Sequence, residues 1–230
     1  MAGRYAAAVR RTEITVSEAE SRILARLVAI LADKGIADRD LLAAIAATPR
    51  DAFVAEAAGA ALGRDRPLLL ECGQTVEAPS AFARLCVAAE IDRGRRVLEI
   101  GTGSGWGTAV LAALAAKVYT VERWATLGAA AAERFSDFAF DNVVASVHDG
   151  LEGWSRHAPF DRILVSGATP EPPADLIAQL AVGGVLVAPL GPSGGPQTLT
   201  RWRRGDRAVE VEALGPVRCV ALIPGRAQAL

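Results

Sequence analysis

Residues 97–105, VLEIGTGSG, constrain this chain more than any other stretch. An aliphatic run carrying the acid Glu99 gives way to glycines alternating with small residues: Gly101, Thr102, Gly103, Ser104 and Gly105. That pattern predicts a buried strand, a tight turn, and a helix opening near Trp106. Glycine lets the backbone approach a ligand closely, and the first N–H groups of the helix have no intrahelical acceptor. The ligand to expect is nucleotide-like. A strict dinucleotide fingerprint G-x-G-x-x-G is excluded, because counting from Gly101 its last glycine falls on Trp106. A P-loop is excluded too, since no Gly-Lys-Ser/Thr follows.

What remains, acidic-x-Gly-x-Gly-x-Gly, resembles the turn of Rossmann-like methyltransferases that bind S-adenosylmethionine. A strand-to-helix turn without a ligand would look the same, so the segments around it decide. Residues 106–116 read as helix and 117–121 as strand, with Glu122 at its end, about 20 residues past Gly101. There a carboxylate can accept from both hydroxyls of a ribose. A helix over 124–135 and a strand over 143–147 lead to His148, Asp149 and Gly150, with Asp149 in reach of an adenine amino group. His148 reads as a loop residue and His157 as a surface one, since neither has a nucleophile or metal partners nearby. A strand at 160–165, a loop at 166–173, a helix at 174–180 and a buried strand at 185–190 continue the alternation. Antiparallel strands are then expected at 197–203, 208–213 and 217–223, the first two joined at Gly205-Asp206. Arg201, Arg203, Arg204 and Arg207 are read as charges around that solvated hairpin.

Upstream, Thr15 to Glu18 and Ser17 to Glu20 match capping boxes. Ile23, Leu24, Leu27, Val28, Ile30 and Leu31 then fall on one helical face, with Gly35 ending the helix after Lys34. A second helix is expected from Asp38 to Ile45, stopped by Pro49. Residues 66–80 are irregular in composition, a candidate binding loop, and Pro79 opens a helix with Phe82, Leu85, Cys86 and Ala89 inward. The fold class is α/β: a Rossmann-like, doubly wound, mostly parallel sheet with antiparallel C-terminal strands and an N-terminal helical cap. Residues 1–80 form the cap and the substrate and cofactor loop, and 81–230 the main domain.

Charge excludes some partners. Lys plus Arg number 25 against 26 for Asp plus Glu, a net charge of -1 that exerts no bulk pull on nucleic acid or an acidic membrane. No apolar stretch near Arg4, Arg10, Arg11 and Glu13 is long enough for a signal peptide. Residues 176–200 lack charge, yet Gly183, Gly184, Pro189, Gly191 and Pro192 break them up, so no membrane span is expected. The three cysteines, Cys72, Cys86 and Cys219, are odd in number and have no metal-type spacing. The expectation is a cytoplasmic protein without a metal or a disulfide framework. Nothing in the sequence sets its oligomeric state.

Several segments together resemble the protein-L-isoaspartate O-methyltransferase family, over about residues 34–225. Lys34-Gly35-Ile36 with Asp38 and Leu42, then Pro49-Arg50-Asp51-Ala52-Phe53-Val54, are similar to its early block. Gly73-Gln74-Thr75-Val76 resembles its GQT-Ile/Val loop, and VLEIGTGSGWGTAVLA its cofactor motif. Val121-Glu122-Arg123, Asp149-Gly150 with Gly153-Trp154, Ala158-Pro159-Phe160-Asp161, Gly183-Gly184 and Val217-Arg218 follow in the family's order. The resemblance implies an S-adenosylmethionine-dependent enzyme that methylates L-isoaspartyl side-chain carboxylates in damaged proteins. It implies that Glu99 and residues 101–105 hold the amino-acid part of the cofactor, Glu122 the ribose, and Asp149 with Gly150 the adenine. Thr75 and Glu77 would position substrate, and Gln74, Val76, Pro79, Val217 and Val220 would line a peptide groove. A carboxylate acceptor with a pKa of roughly 4 is already ionised at neutral pH, so no general base is required.

One position departs from the family. Where its members commonly have Ser in GQT-Ile-Ser-x-Pro, this chain has Glu77. An ionised Glu about 4 Å from a carboxylate acceptor would repel it by roughly 4 kcal/mol at an effective dielectric near 20. Either Glu77 points away, or it is protonated, or the acceptor is different. With a different acceptor, Glu77 would orient a cationic group of the substrate, or act as general base for a neutral hydroxyl or amine. A module that binds cofactor or protein without turnover is the non-enzymatic alternative.

Overall fold

The structure is a computed structural model in which residues 18–54 and 63–229 are described. Helix α1, Glu18–Asp33, turns Leu24, Leu27 and Leu31 inward but leaves Ile23 41% exposed. Its buried stripe is therefore narrower than the periodicity predicts. Most of the predicted capping-box residues, from Thr15 to Ser17, lie outside the described residues. Gly35 follows α1 at φ 84°, a left-handed backbone that closes a helix. Helix α2, Arg39–Ala46, is capped by Asp38, whose carboxylate accepts from the Leu41 N–H at 3.0 Å. Such a cap contributes about 1 kcal/mol.

Residues 66–80 are more ordered than their composition suggests. Strands β1, Leu68–Leu69, and β2, Thr75–Val76, pair antiparallel around a short turn at Glu71–Gly73. Two-residue strands are too short to carry a period-2 signal. Helix α3, Pro79–Ala89, begins on its proline and buries Phe82, Leu85, Cys86 and Ala89.

The alternation that follows is β3 (Arg96–Ile100), α4 (Trp106–Leu114), β4 (Lys117–Glu122), α5 (Ala125–Asp137), β5 (Val143–Val147), β6 (Phe160–Val165), α6 (Ala174–Ala178), β7 (Leu180–Leu190), β8 (Gln197–Arg204) and β9 (Val209–Val217). The main sheet has the order β5-β4-β3-β6-β7-β8-β9. It is parallel from β5 to β7 and antiparallel through β8 and β9. Leu27, Leu31, Leu41, Ile45 and Phe53 share one apolar cluster with Phe82, Trp106, Val110 and Leu111. Burial of that surface fastens α2 onto α3 and α4, which cover one face of the sheet, and α1 onto α2. The other face is packed by Trp154, Leu176, Leu180 and Trp202.

The expected strand at 217–223 does not form. The Val217 end of β9 runs on into a segment held by single bonds: Ala168 N–H to the Val220 carbonyl, Leu222 N–H to the Ala168 carbonyl, and Cys219 N–H to the Gln197 side chain. Its polar groups are satisfied by a loop and an amide instead of a ladder. His157 also departs from expectation. It is half-buried against Tyr119 and Trp154, with ring centroids 4.7 and 4.8 Å away. The arginines of the C-terminal hairpin are mostly paired: Arg201 and Arg203 meet Glu90, and Arg204 donates to the Ala178 and Leu180 carbonyls. Among the described residues no helix is long and apolar enough to cross a membrane.

Candidate active site

From β3 the chain winds outward to β4 and β5, then returns to place β6 on β3's other side. The carboxyl ends of strands at such a reversal open a crevice. Here the ends of β3 to β7 surround a cavity of about 610 Å³, closed on its far side by residues 74–78, α3 and the 217–223 segment. Of the site residues expected from sequence, Gln74, Thr75, Val76, Glu77, Glu99, Gly101, Thr102, Gly103, Ser104, Glu122, Asp149, Gly150, Val217 and Val220 all line it. Gly105 and Pro79 do not. A Cβ on Gly105 would lie 2.8 Å from the Phe135 ring, so that glycine, at φ 88°, serves the packing of α4 on α5. Pro79 is buried as the first residue of α3.

The glycine turn is held in shape from outside. Gly101 donates to the Val121 carbonyl at 2.9 Å, and Ser166 donates to the Ile100 carbonyl at 2.9 Å, tying β4 and β6 to the turn. Glu122 is buried at the end of β4. Its Oε2 accepts the Gly103 N–H at 2.8 Å and its Oε1 the Trp124 N–H at 3.0 Å. A carboxylate offers about four acceptor positions, so two remain for a ligand. Asp149 is similarly engaged: Oδ1 accepts from Leu151 N–H at 2.9 Å and Oδ2 from Gly225 N–H at 2.6 Å. The second bond brings the C-terminal segment across the ends of β4 and β5. His148 is fixed between the Ser146 hydroxyl and the Gly153 carbonyl, a structural role in its loop.

Beneath the turn lies a buried acid. Glu99 Oε2 accepts from the Thr108 and Thr120 hydroxyls, and Thr120 in turn meets Thr102 at 2.6 Å. Burial pushes the Glu99 carboxyl up to about 7, against the pull of those two hydroxyls and with a further push from the charge of Glu77. Glu77 is the second such acid. Its Oε2 is sealed from solvent without a hydrogen-bond partner, and burial raises it also to about 7. Neither Cys86, raised well above the ordinary thiol range, nor Cys219, pushed up to about 12, supplies a thiolate.

These two acids set a pH dependence of stability. Both ionise near 4.5 in the unfolded chain but hold their protons to about 7 when folded. Between those values the native state binds more protons, so stability falls as pH rises through the window. The loss is on the order of a few kcal/mol, shared by a pair that titrates together. Thermal melts of the ligand-free protein from pH 5 to pH 8 are expected to shift downward, and less so in Glu77→Gln. A melting temperature that climbs across that range would contradict the assignment.

Two contributors escaped sequence reading. Arg50, 2% exposed, sends Nη1 to the carbonyls of Arg64 and Arg66 and Nη2 to that of Glu77 at 3.0 Å, and lies 5.3 Å from the centroid of the Trp106 ring. Burial pulls its guanidinium down to about 10, which leaves it cationic at neutral pH. Trp106, which donates to the Thr48 carbonyl at 2.9 Å, joins α4 to the end of α2. The PR pair was visible as part of a block, but no periodicity or spacing says that an arginine is inside.

A doubly wound sheet with a glycine turn, a strand-end carboxylate and a large cavity at its carboxyl edge defines a class I methyltransferase, the fold that binds S-adenosylmethionine. The comparisons with known proteins agree. Residues 22–227 match the protein-L-isoaspartate(D-aspartate) O-methyltransferase family. The protein-L-isoaspartate O-methyltransferase of Parvibaculum lavamentivorans is 39% identical over 218 residues, 94% of this chain and 98% of that one. A solved protein-L-isoaspartate O-methyltransferase superposes with a TM-score of 0.79 at 24% identity, covering 86% of this chain and 65% of that one. A putative homologue from Plasmodium falciparum, in complex with S-adenosyl-L-homocysteine, gives 0.74 at 22% identity, covering 86% and 96%. The chain belongs to the protein-L-isoaspartate O-methyltransferase family and is a methyltransferase of that kind.

Proposed function

We propose that the chain transfers a methyl group from S-adenosylmethionine to the free carboxylate of an L-isoaspartyl residue in a peptide or protein. The single observation that carries this reading is the cavity itself, which joins the glycine turn to the 74–78 loop and the 217–223 segment. Its size falls within the range for small-ligand and cofactor sites. Glu122 has acceptor positions left that would take the ribose, and of the other residues lining the cavity Asp149 and Gly150 would hold the adenine and residues 101–104 the amino-acid portion. When bound, the cofactor supplies an electrophilic methyl on a sulfonium that departs as a neutral thioether.

The protein's task is then to bind and align. An acceptor carboxylate needs no deprotonation at neutral pH. Phe82, Trp106 and Leu199 give the cavity apolar walls that exclude water, and alignment of oxygen, carbon and sulfur supplies much of the rate. The exposed Val220 and the half-buried Val217 sit on the acceptor side, where a peptide would enter. The three thiols are free, as in a chain that works in a reducing compartment, and the cytoplasm is the compartment proposed.

The test is methyl transfer from labelled cofactor to an isoaspartyl peptide and to its normal aspartyl counterpart. Base-labile label on the first alone is expected. Equal labelling of both, or of neither, would overturn the reading.

A further inference from the structure

We propose that Glu77 meets the acceptor carboxylate as an un-ionised acid and donates a hydrogen bond to it from the carboxyl that forms part of the cavity wall. The proposal rests on the isoaspartyl reading above. It accounts for a residue that the reaction does not require and that electrostatics would otherwise forbid.

Three observations carry it. Glu77 does not point away: it lines the cavity, and its backbone carbonyl is pinned by Arg50 at 3.0 Å. Its Oε2 is enclosed and has no hydrogen-bond partner, so an ionised carboxylate would leave charge there without compensation. Cys86 from α3, Glu99 from β3 and Cys219 from the 217–223 segment each feel the charge of an ionised Glu77; the two thiols are neutral, and Glu99 is the one of the three whose own charge would repel it. No ion pair reaches its carboxyl among the described residues. Arg84 and Arg218 line the same cavity and are exposed, Arg50 touches only the carbonyl, and Glu122, Arg123 and Asp149 line the cavity without a bond to Glu77 among the described residues. Burial accordingly raises the Glu77 carboxyl to about 7.

A protonated carboxyl beside a carboxylate turns repulsion into a short, charge-assisted hydrogen bond. A buried acid kept neutral so that it can donate is an established catalytic device. In the transfer step, one acceptor oxygen holds the Glu77 hydrogen bond and the other forms the new bond to the methyl carbon. The carbon–sulfur bond breaks, sulfur keeps the electron pair, and the Glu77 proton stays where it was. Because only the protonated form donates, transfer is strongest below about pH 7.

The experiment compares wild type, Glu77→Gln and Glu77→Ser by kcat/KM for an isoaspartyl peptide from pH 5.5 to pH 9, quenched in acid to preserve the ester. Wild type should lose about tenfold per pH unit once Glu77 ionises. Glu77→Gln, which keeps a donor that cannot ionise, should be several-fold slower at pH 6 yet overtake wild type above pH 8, and Glu77→Ser should be equally flat. Infrared difference spectra of the cofactor-free protein between pH 6 and pH 8.5 should show loss of a protonated carboxyl band, part of which is missing in Glu77→Gln. An alkaline fall that persists in both variants would overturn the proposal, assigning that limb to another group such as Glu99. A wild-type rate that rises through pH 7 and collapses in Glu77→Gln would make Glu77 a base for a neutral acceptor. Absence of transfer to isoaspartyl peptide at any pH would overturn the isoaspartyl reading and this inference together; transfer with identical profiles would overturn the inference alone.

Discussion

Replacing Glu122 with alanine is expected to weaken S-adenosylmethionine binding by about three-hundredfold, the equivalent of roughly 3.4 kcal/mol. The carboxylate stands at the C-terminal end of β4 with two acceptor positions taken by backbone N–H groups and two free. Hydrogen bonds from ribose hydroxyls to a buried charge contribute about 1.5–3 kcal/mol each, and alanine removes both. It also strands the Gly103 and Trp124 N–H groups and releases the glycine turn from β4, so part of the lost affinity is lost shape. Glu122→Gln, which keeps one oxygen acceptor, should fall between. Isothermal titration of the cofactor, and of S-adenosylhomocysteine, provides the measurement. A dissociation constant within threefold of wild type would show that the strand-end carboxylate is not a ribose ligand.

That residue was legible in the sequence because it follows a rule of topology. A β-branched strand about 20 residues after a glycine turn puts its last residue at the edge where ligands bind, whatever the packing elsewhere. Asp149 and the 101–104 turn were legible for the same reason. Gly105 shows the limit of the motif. Its place in the string suggested a ligand contact, while its position opposite Phe135 makes it a packing residue. The strand expected at 217–223 failed in a related way, since alternating apolar residues fit equally an extended segment whose hydrogen bonds go to a loop and to Gln197. The ribbon of β1 and β2 lay below the length at which periodicity speaks. Glu77 was visible as a departure from family pattern, but its raised pKa comes from burial, and the cavity wall that buries it draws on a loop, a helix, a strand and a segment more than a hundred residues away. Only the fold brings those together.

Arg50 belongs to the same class of long-range effect, and its loss should be the larger structural injury. Three carbonyls, those of Arg64, Arg66 and Glu77, converge on one buried guanidinium. They belong to the segment that closes the acceptor side of the cavity, so a single side chain from the turn after α2 sets where Glu77 stands. Arg50→Ala removes the donors, leaves three part-buried carbonyls without those partners, and opens a void against Trp106. Unsatisfied buried groups cost about 1–3 kcal/mol each, and truncation of a large buried side chain adds to that. Relaxation of the segment toward solvent would recover part, leaving a net loss of about 4 kcal/mol, a large share of the 5–15 kcal/mol typical of a whole domain. For a chain of this size that corresponds to a melting temperature lower by roughly 10 °C. Arg50→Lys keeps the charge but not the planar fork, so it should recover less than half of the loss. Because the cofactor side of the cavity is anchored separately by β3 and β4, cofactor affinity should change far less than KM for the peptide. Denaturant unfolding together with titration of both ligands separates these effects. A variant that melts within 2–3 °C of wild type with unaltered peptide kinetics would mean that residues 64–77 hold their course without the arginine.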